Sequence, residues 1–186
     1  MVTATSYPRY KLLILTCLIE GLVLIIALFL AGIFDIKLLP LTEDLFRDFL
    51  LGTLGASFPL VLFVFLLSEK MQNVAFLSSL KKTIIDLRII FSESKLLDLC
   101  FISIFAGFAE ELLFRGVIQA KLGIVGASII FGLLHFITPA YCVIATIMGF
   151  YLGFLFQYYE SLLIPIQVHF LYDLGALIYL RYYVKT

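Results

Sequence analysis

Long apolar stretches are the feature that most limits what this 186-residue chain can fold into. Hydrophobic residues make up 63% of the chain and charged residues only 14%, whereas a soluble domain is about half apolar and about a quarter charged. A soluble fold of this size has too little interior to hide so much apolar surface. Because a helix needs about 20 apolar residues to cross a bilayer, the sequence predicts an integral membrane protein with the lipid bilayer as a partner.

Six apolar segments approach or exceed that length. We therefore predict an all-α, polytopic membrane helix bundle of about six transmembrane helices, forming one domain over residues 1–186. The segments are 12–34, 49–67, 96–120, 122–136, 140–158 and 162–182. Segment 122–136 is short for a full crossing. Thr138 and Pro139 are residue types favoured at an N-cap and in a first helical turn, which predicts that the fifth helix begins there.

Residues 69–95 differ from these segments because lysines and arginines are mixed with leucines and isoleucines. Such a pattern is typical of an amphipathic helix that lies on the bilayer surface. A loop in water is the alternative interpretation.

The distribution of lysine and arginine predicts the orientation of the chain. With six crossings, the N-terminus, residues 69–95 and the C-terminus share one side and carry nine basic residues, against three on the other side. Since cytoplasmic loops are the richer in lysine and arginine, we expect both termini in the cytoplasm. The formal net charge of zero argues against a nucleic-acid partner, and the compact chain favours a prokaryotic cell membrane.

Ionisable side chains within the apolar segments are the strongest functional signal in the sequence. Each central Asp, Arg or Lys costs about 2.5–3.5 kcal/mol in a membrane helix, so four such groups cost on the order of 10 kcal/mol without pairing or water. The bundle must therefore supply a shared polar cavity. The residues that we expect there are Glu110, Glu111, Arg115, His135, His169 and Asp173.

The spacing of residues in the third segment predicts different roles for Glu110 and Glu111. Glu111 and Arg115 are four residues apart and can pair on one helix face. Glu110 is rotated by about 100° from Glu111, so it needs a partner from another helix. A carboxylate held in a dry pocket is a suitable general base, whereas Glu111 and Arg115 fit a charge pair that only holds helices together.

The two histidines supply the other polar groups. A Glu110–His135 couple around one water is our prediction, with separations of about 5–6 Å set by hydrogen-bond geometry; a hydrogen bond from His135 to a neighbouring helix is the alternative. His169 and Asp173 share one helix face by their spacing of four residues. Glu20 has no cationic neighbour on its own helix, and we expect it in a helix contact or near the membrane interface rather than in the site.

These motifs together resemble a known family. The order Glu-Glu-x-x-x-Arg, Phe-x-x-x-His and His-x-x-x-Asp/Asn, each on its own hydrophobic helix, is similar to that of the CPBP family. This family joins CAAX proteases and bacteriocin-processing enzymes and includes the Rce1-type membrane endopeptidases. The resemblance covers roughly residues 97–180, while the N-terminal half matches only in being hydrophobic.

The resemblance implies a role for four residues in hydrolysis of a peptide bond. Glu110 fits the glutamate that activates the attacking water, and His135 fits the histidine that works with it. His169 and Asp173 fit the pair that stabilises the oxyanion. Many relatives have asparagine in place of Asp173, and an ionised aspartate is a poor oxyanion donor, so a protonated Asp173 or a purely orienting role follows.

Glu111 and Arg115 fit the supporting ion pair of that family. The chain lacks the His-Glu-x-x-His pattern of common zinc proteases, although two histidines and several carboxylates could still bind zinc. We expect no cofactor and a glutamate-activated water, with zinc as the alternative.

The predicted function is therefore that of an intramembrane endopeptidase acting on a peptide or membrane-tethered protein substrate. Two alternatives stay open. One is a non-catalytic immunity or regulatory protein that binds a peptide or a membrane partner in the same cavity. The other is a proton-coupled transporter, because Glu–His pairs also form proton relays. The sequence gives no sign that prenylated CAAX proteins are the target.

Overall fold

The computed structural model describes residues 6–68 and 75–184. Within these ranges the regular secondary structure is helical, and no strand is present. The helices are α1 (Arg9–Ile33), α2 (Leu45–Leu67), α3 (Ala75–Ile90), α4 (Leu96–Glu111), α5 (Gln119–Leu134), α6 (Pro139–Tyr159) and α7 (Leu163–Tyr182), with a π-helical segment (Leu112–Ile118) joining α4 to α5. The side chain of Thr138 accepts a hydrogen bond from the Tyr141 N–H and caps α6, as predicted. The prediction of an all-α bundle is confirmed.

Five helical stretches in the described residues are long and apolar enough to cross a membrane. They are Arg9–Ile33, Leu45–Leu67, Leu96–Leu134, Pro139–Tyr159 and Leu163–Tyr182. Their number and length agree with an integral membrane protein.

The stretch Leu96–Leu134 folds back on itself at Gly123. A straight helix of its 39 residues would be about 58 Å long, roughly twice the hydrocarbon thickness of a bilayer. Gly123 has a φ of 70° and a ψ of 175°, a conformation that glycine adopts without a Cβ penalty. Beyond it the chain returns, and the ring of Phe131 lies 4.9 Å from that of Phe114. The sequence predicted a break between residues 120 and 122, which is within two residues of Gly123. The short fourth segment is therefore residues 124–134.

The start of α1, helix α3 and the end of α7 lie at the same end of the bundle. The Arg9 guanidinium donates two hydrogen bonds to Asp98 at the start of α4, at 2.6 and 2.8 Å. Leu80 and Ile84 of α3 are buried in a cluster with Leu180 of α7. This placement agrees with the prediction from six crossings that the N-terminus, residues 69–95 and the C-terminus lie on one side of the membrane. Its cytoplasmic location stays a prediction.

The predicted surface helix over residues 69–95 corresponds in part to α3. Residues 69–74 and Lys185, which entered the charge count, lie outside the described residues.

Helix α7 lies against both α2 and α4 because glycines remove side chains at the contacts. A Cβ at Gly107 of α4 would stand 3.0 Å from the Phe170 backbone nitrogen of α7. A Cβ at Gly52 of α2 would stand 2.7 Å from the Cβ of Gln167. The approach at Gly107 lets α7, which carries His169, lie close to α4, which carries the glutamates.

Helices α5 and α6 are joined through the Gly-x-x-x-Gly pattern of Gly149 and Gly153. A Cβ at Gly149 would stand 2.9 Å from the Ser128 Cα, and one at Gly153 would stand 2.9 Å from Ile124 Cγ1. The pattern therefore serves helix contact within the chain, as expected from small residues in membrane helices.

Replacing Gly149 by alanine tests this contact. We expect Gly149→Ala to lower the free energy of unfolding by about 1–3 kcal/mol, since the backbone of Ser128 would have to move. Unfolding of the purified protein in detergent micelles measures the change. Gly21→Ala in α1 is the matched control, because a Cβ there meets nothing within 4 Å. Equal unfolding curves for the two variants would contradict the assigned contact.

Candidate functional site

The structure brings all six predicted site residues into one region of the bundle. Helix α4 and the π segment carry Glu110, Glu111 and Arg115. His135 follows directly on α5, and α7 carries the remaining pair, His169 and Asp173. Three separate parts of the chain thus meet around one cavity, which is the geometry that the sequence analysis required of the site.

The side chain of Glu110, in α4, faces that of His135, which follows α5. The Glu110 Oε2 and His135 Nε2 atoms are 3.6 Å apart, which is longer than a direct hydrogen bond. The distance is shorter than the 5–6 Å predicted for a water on the line between them. A shared water must therefore sit to one side, where both residues line a cavity of about 100 Å³. Since a water occupies about 30 Å³ in the liquid, a few waters fit there.

The orientation of the His135 ring is fixed by its own helix. Its Nδ1 lies 2.8 Å from the carbonyl oxygen of Phe131. Because a carbonyl oxygen can only accept, Nδ1 carries the proton and donates. In the neutral ring Nε2 is then an acceptor that faces Glu110 and the cavity.

The Glu110 carboxyl group has one oxygen without a hydrogen-bond donor in the part of the chain that the structure describes. Its Oε2 is buried and has no hydrogen-bond donor among the described residues. Such an acceptor is costly, and a catalytic role is among the known reasons for keeping one.

Glu111 lies at the centre of a buried group of charged and polar side chains. Its Oε1 is 2.7 Å from His169 Nδ1, and its Oε2 is 3.0 Å from Arg115 Nε. Both Glu111 and Arg115 are inaccessible to solvent. The predicted pair is present, and the contact with His169 is additional.

The other nitrogen of His169 faces a second carboxylate. Nε2 lies 3.4 Å from Asp173 Oδ2. An imidazole that donates from both nitrogens is positively charged. The bond to Glu111 is short and the one to Asp173 is long, so Glu111 orients the ring and Nε2–H keeps some freedom at the cavity.

The π segment and Phe131 hold Arg115 in place. A π turn adds a residue to the helical repeat and often marks a functional site. The Arg115 Nη2 donates to the carbonyl oxygen of Gly149 at 3.2 Å, and its guanidinium carbon lies 4.9 Å from the Phe131 ring centroid. The Phe131 ring in turn stacks on His135 at 4.3 Å. The supporting pair and the Glu110–His135 couple are therefore in contact through one aromatic ring.

The donor set does not fit a zinc ion. Zinc in proteins needs three or four ligands at about 2.0–2.3 Å. In the part of the chain that the structure describes, no three His, Cys, Asp or Glu side chains are arranged to hold a metal. Both ring nitrogens of His169 already face carboxylates. The arrangement gives no support to the zinc alternative.

Glu20 of α1 joins the surroundings of the site, which the sequence analysis did not expect. It is 9% exposed and interacts electrostatically with His169 and Asp173. Both residues belong to α7, so spacing along α1 gave no signal. Its charge within an apolar segment was the only available clue.

Comparison with known proteins supports the resemblance drawn from the motifs. Residues 92–175 match the family model described as type II CAAX prenyl endopeptidase Rce1-like. The uncharacterized protein YpbD of Bacillus subtilis (strain 168) is 36% identical over 87 residues, which are 45% of this chain and 46% of that protein. The chain therefore spans about half the length of this curated relative. No solved structure matches the chain.

The matched segment contains every residue of the site and the three motifs that carried the resemblance. The motif-bearing segment of this integral membrane protein, residues 92–175, is therefore similar to the Rce1-like family of type II CAAX prenyl endopeptidases.

Proposed function

We propose that this chain is an intramembrane endopeptidase that hydrolyses peptide bonds of membrane-associated peptides or proteins through a water activated by Glu110 and His135. The observation that carries the proposal is the pairing of these two side chains, 3.6 Å apart, at the edge of one small cavity. The family model that matches residues 92–175 describes an endopeptidase, which supports the same reaction class.

The first step is attack by water on the scissile carbonyl. Glu110 accepts one proton of the water, and His135 Nε2 accepts a hydrogen bond from the other. The water oxygen bonds to the carbonyl carbon, and the carbonyl electron pair moves onto its oxygen. Positioning of the water by two acceptors lowers the entropic cost of this step.

The oxyanion needs a donor on the other side of the cavity. His169 is suited to this role because Glu111 fixes its Nδ1 at 2.7 Å while Nε2–H has only a long contact with Asp173. A charged donor that is already oriented stabilises developing negative charge without reorganising. Asp173 acts only through His169, whose ring Glu111 orients, since an ionised carboxylate would itself repel the oxyanion.

Collapse of the tetrahedral intermediate completes the reaction. The carbon–nitrogen bond breaks, and the amine takes the proton that Glu110 received from the water. Glu110 thus serves first as base and then as acid, and no group other than water is consumed.

Glu110→Gln tests the assigned base. We expect a loss of about 10²–10⁴-fold or more in the cleavage rate of membrane-tethered peptides, because glutamine cannot accept the proton. Purified protein in liposomes is assayed by peptide product formation. Glu43→Gln, at an exposed position before α2, is the matched control and keeps the wild-type rate.

Two results of this assay would contradict the proposal. Equal rates for wild type and Glu110→Gln would remove the base and favour the non-catalytic peptide-binding alternative. A complete loss of activity after exhaustive chelation, restored by zinc, would contradict a metal-free mechanism.

A second prediction concerns the supporting pair. Arg115→Met removes one of the two cationic side chains that contact the buried Glu111 carboxylate, and we expect a loss of about 3–5 kcal/mol in unfolding free energy. The double variant Glu111→Gln with Arg115→Met removes both charges and recovers part of the loss. Lys37→Met changes an exposed cation and leaves stability within about 0.5 kcal/mol.

Unfolding in detergent micelles measures all of these variants. A single variant Arg115→Met as stable as wild type would show that the buried pair is not needed to hold the site.

A further inference from the structure

Glu20 of α1 is a buried carboxyl group to which the proposed mechanism gives no task. The residue is 9% exposed, and its Oε2 is buried without a hydrogen-bond partner among the described residues. An ionisable group at membrane depth is costly and marks a functional site more often than not. The location of Glu20 relative to the catalytic cavity is therefore informative.

Helix α1 runs parallel to the stretch from α4 to the start of α5, and contacts near both ends fix their relative depth. At the start, the Arg9 guanidinium donates two hydrogen bonds to Asp98, at 2.6 and 2.8 Å. At the end, the Lys121 ammonium lies 4.8 Å from the ring centroid of Phe34, which directly follows α1. Equal numbers of helical turns along the two stretches thus reach nearly the same depth.

This alignment brings Glu20 to the depth of Glu110. Each residue lies roughly three helical turns beyond its own end of the Arg9–Asp98 pair. Since successive helical residues are about 100° apart, Glu20 points within about 20° of the direction of Arg9. Ala27, on the same side of α1, is buried in one cluster with residues of the π segment. The Glu20 side chain is therefore directed toward α4 and the π segment.

Glu20 is electrostatically coupled to the proposed base. Its effect on Glu110 is larger than the effects of Asp173 and Glu111, although Glu111 is the next residue in the sequence. His169 and Asp173 act on Glu20 in turn. A residue of α1 thus belongs to the same group of interacting charges as the residues of α4 and α7.

The cations of the site are already engaged by a third carboxyl group. Arg115 and His169 contact Glu111 at 3.0 and 2.7 Å. Glu110 resembles Glu20 in having a buried Oε2 without a hydrogen-bond partner among the described residues. Two coupled carboxyl groups without a cation of their own, in a region of low dielectric constant, are most stable when they hold one proton between them.

We infer that Glu20 is a positioning residue of the proposed peptidase that holds one proton in common with Glu110. The inference rests on the proposed function and adds a residue to it. With the shared proton on Glu20, Glu110 is ionised and accepts a proton from the attacking water. That second proton passes from Glu110 to the amine, so the proton on Glu20 is not consumed.

Other ionisable groups also face this pair, and they are kept in every variant used below. A difference between variants therefore reports on Glu20 and Glu110 themselves. The groups come from α4, the π segment, the end of α5, α6 and α7, and they are Glu111, Arg115, His135, Tyr141, His169, Tyr172 and Asp173.

Infrared titration of the purified protein tests the shared proton without any substrate. The C=O stretch of protonated carboxyl groups is followed from low to high pH in wild type, Glu20→Gln and Glu110→Gln. We expect the band that persists to the highest pH in wild type to disappear at a pH lower by roughly one unit or more in each variant. The reason is that the remaining acid no longer ionises beside a negative charge.

Glu43→Gln is the matched control, because it makes the same change at an exposed position before α2. It leaves the titration of this band unchanged. Glu20→Met removes the carboxyl group without adding a hydrogen-bonding group, and it should give the same shift as Glu20→Gln. A band lost at the same pH in wild type and in both Glu20 variants would overturn the inference, whether or not the protein cleaves peptides.

Peptide cleavage gives a second readout that a purely structural role of Glu20 would not change. In Glu20→Gln, we expect the acid limb of the pH profile of kcat to move to lower pH by roughly one unit, because Glu110 stays ionised to lower pH. A helix contact alone would lower stability and leave the pH profile in place, which would overturn the inference. Absence of cleavage with every peptide would count against the proposed function alone, since the infrared titration does not depend on it.

Discussion

The Glu111 carboxyl group contacts two helical segments at a depth that solvent does not reach. Arg115 binds one oxygen from the π segment, and His169 binds the other from α7. An unpaired charge in a membrane is costly, so the three groups need one another. This requirement fixes the rotation of α4 about its axis. Because successive residues of a helix are about 100° apart, Glu110 then points toward the cavity that it shares with His135. The geometry of the proposed catalytic site therefore depends on Glu111, a group that does not touch the reacting atoms in the proposed mechanism.

Close packing of the helices brings the other side chains of the site near Glu110 and Glu111. Gly107 lets α7 approach α4, and Gly149 lets α6 approach α5. The fold-back at Gly123 returns the chain so that Phe131 contacts both Arg115 and His135. Apolar contacts give little drive for helix association within lipid, so small residues and polar contacts matter more than in water. The same residues that build the bundle thus also position the site.

Much of this arrangement follows from the sequence. Apolar length predicts the helices, and spacings of four residues predict the contacts Glu111–Arg115 and His169–Asp173. The cost of buried charge predicts that Glu110 meets a partner from another helix. These predictions use only the spacing of residues along one helix or the cost of a charge within the bilayer.

Contacts that depend on how helices rotate against each other could not be predicted in the same way. The bond between Glu111 and His169 joins positions 58 residues apart. Glu20 shows no partner along α1, yet the fold brings it near His169 and Asp173. An apolar cavity of about 520 Å³ lies among α2, α3, α6 and α7, and it has no signature in spacing because four helices form it together.

The most direct test is an experimental structure of the protein in a lipid phase, at a resolution that shows ordered water. We expect the Glu110 carboxylate and the His135 imidazole to lie about 3.6 Å apart and to bind one common water at the edge of the small cavity. Side chains of Glu110 and His135 that point into lipid, or that lie too far apart to share a solvent molecule, would contradict it.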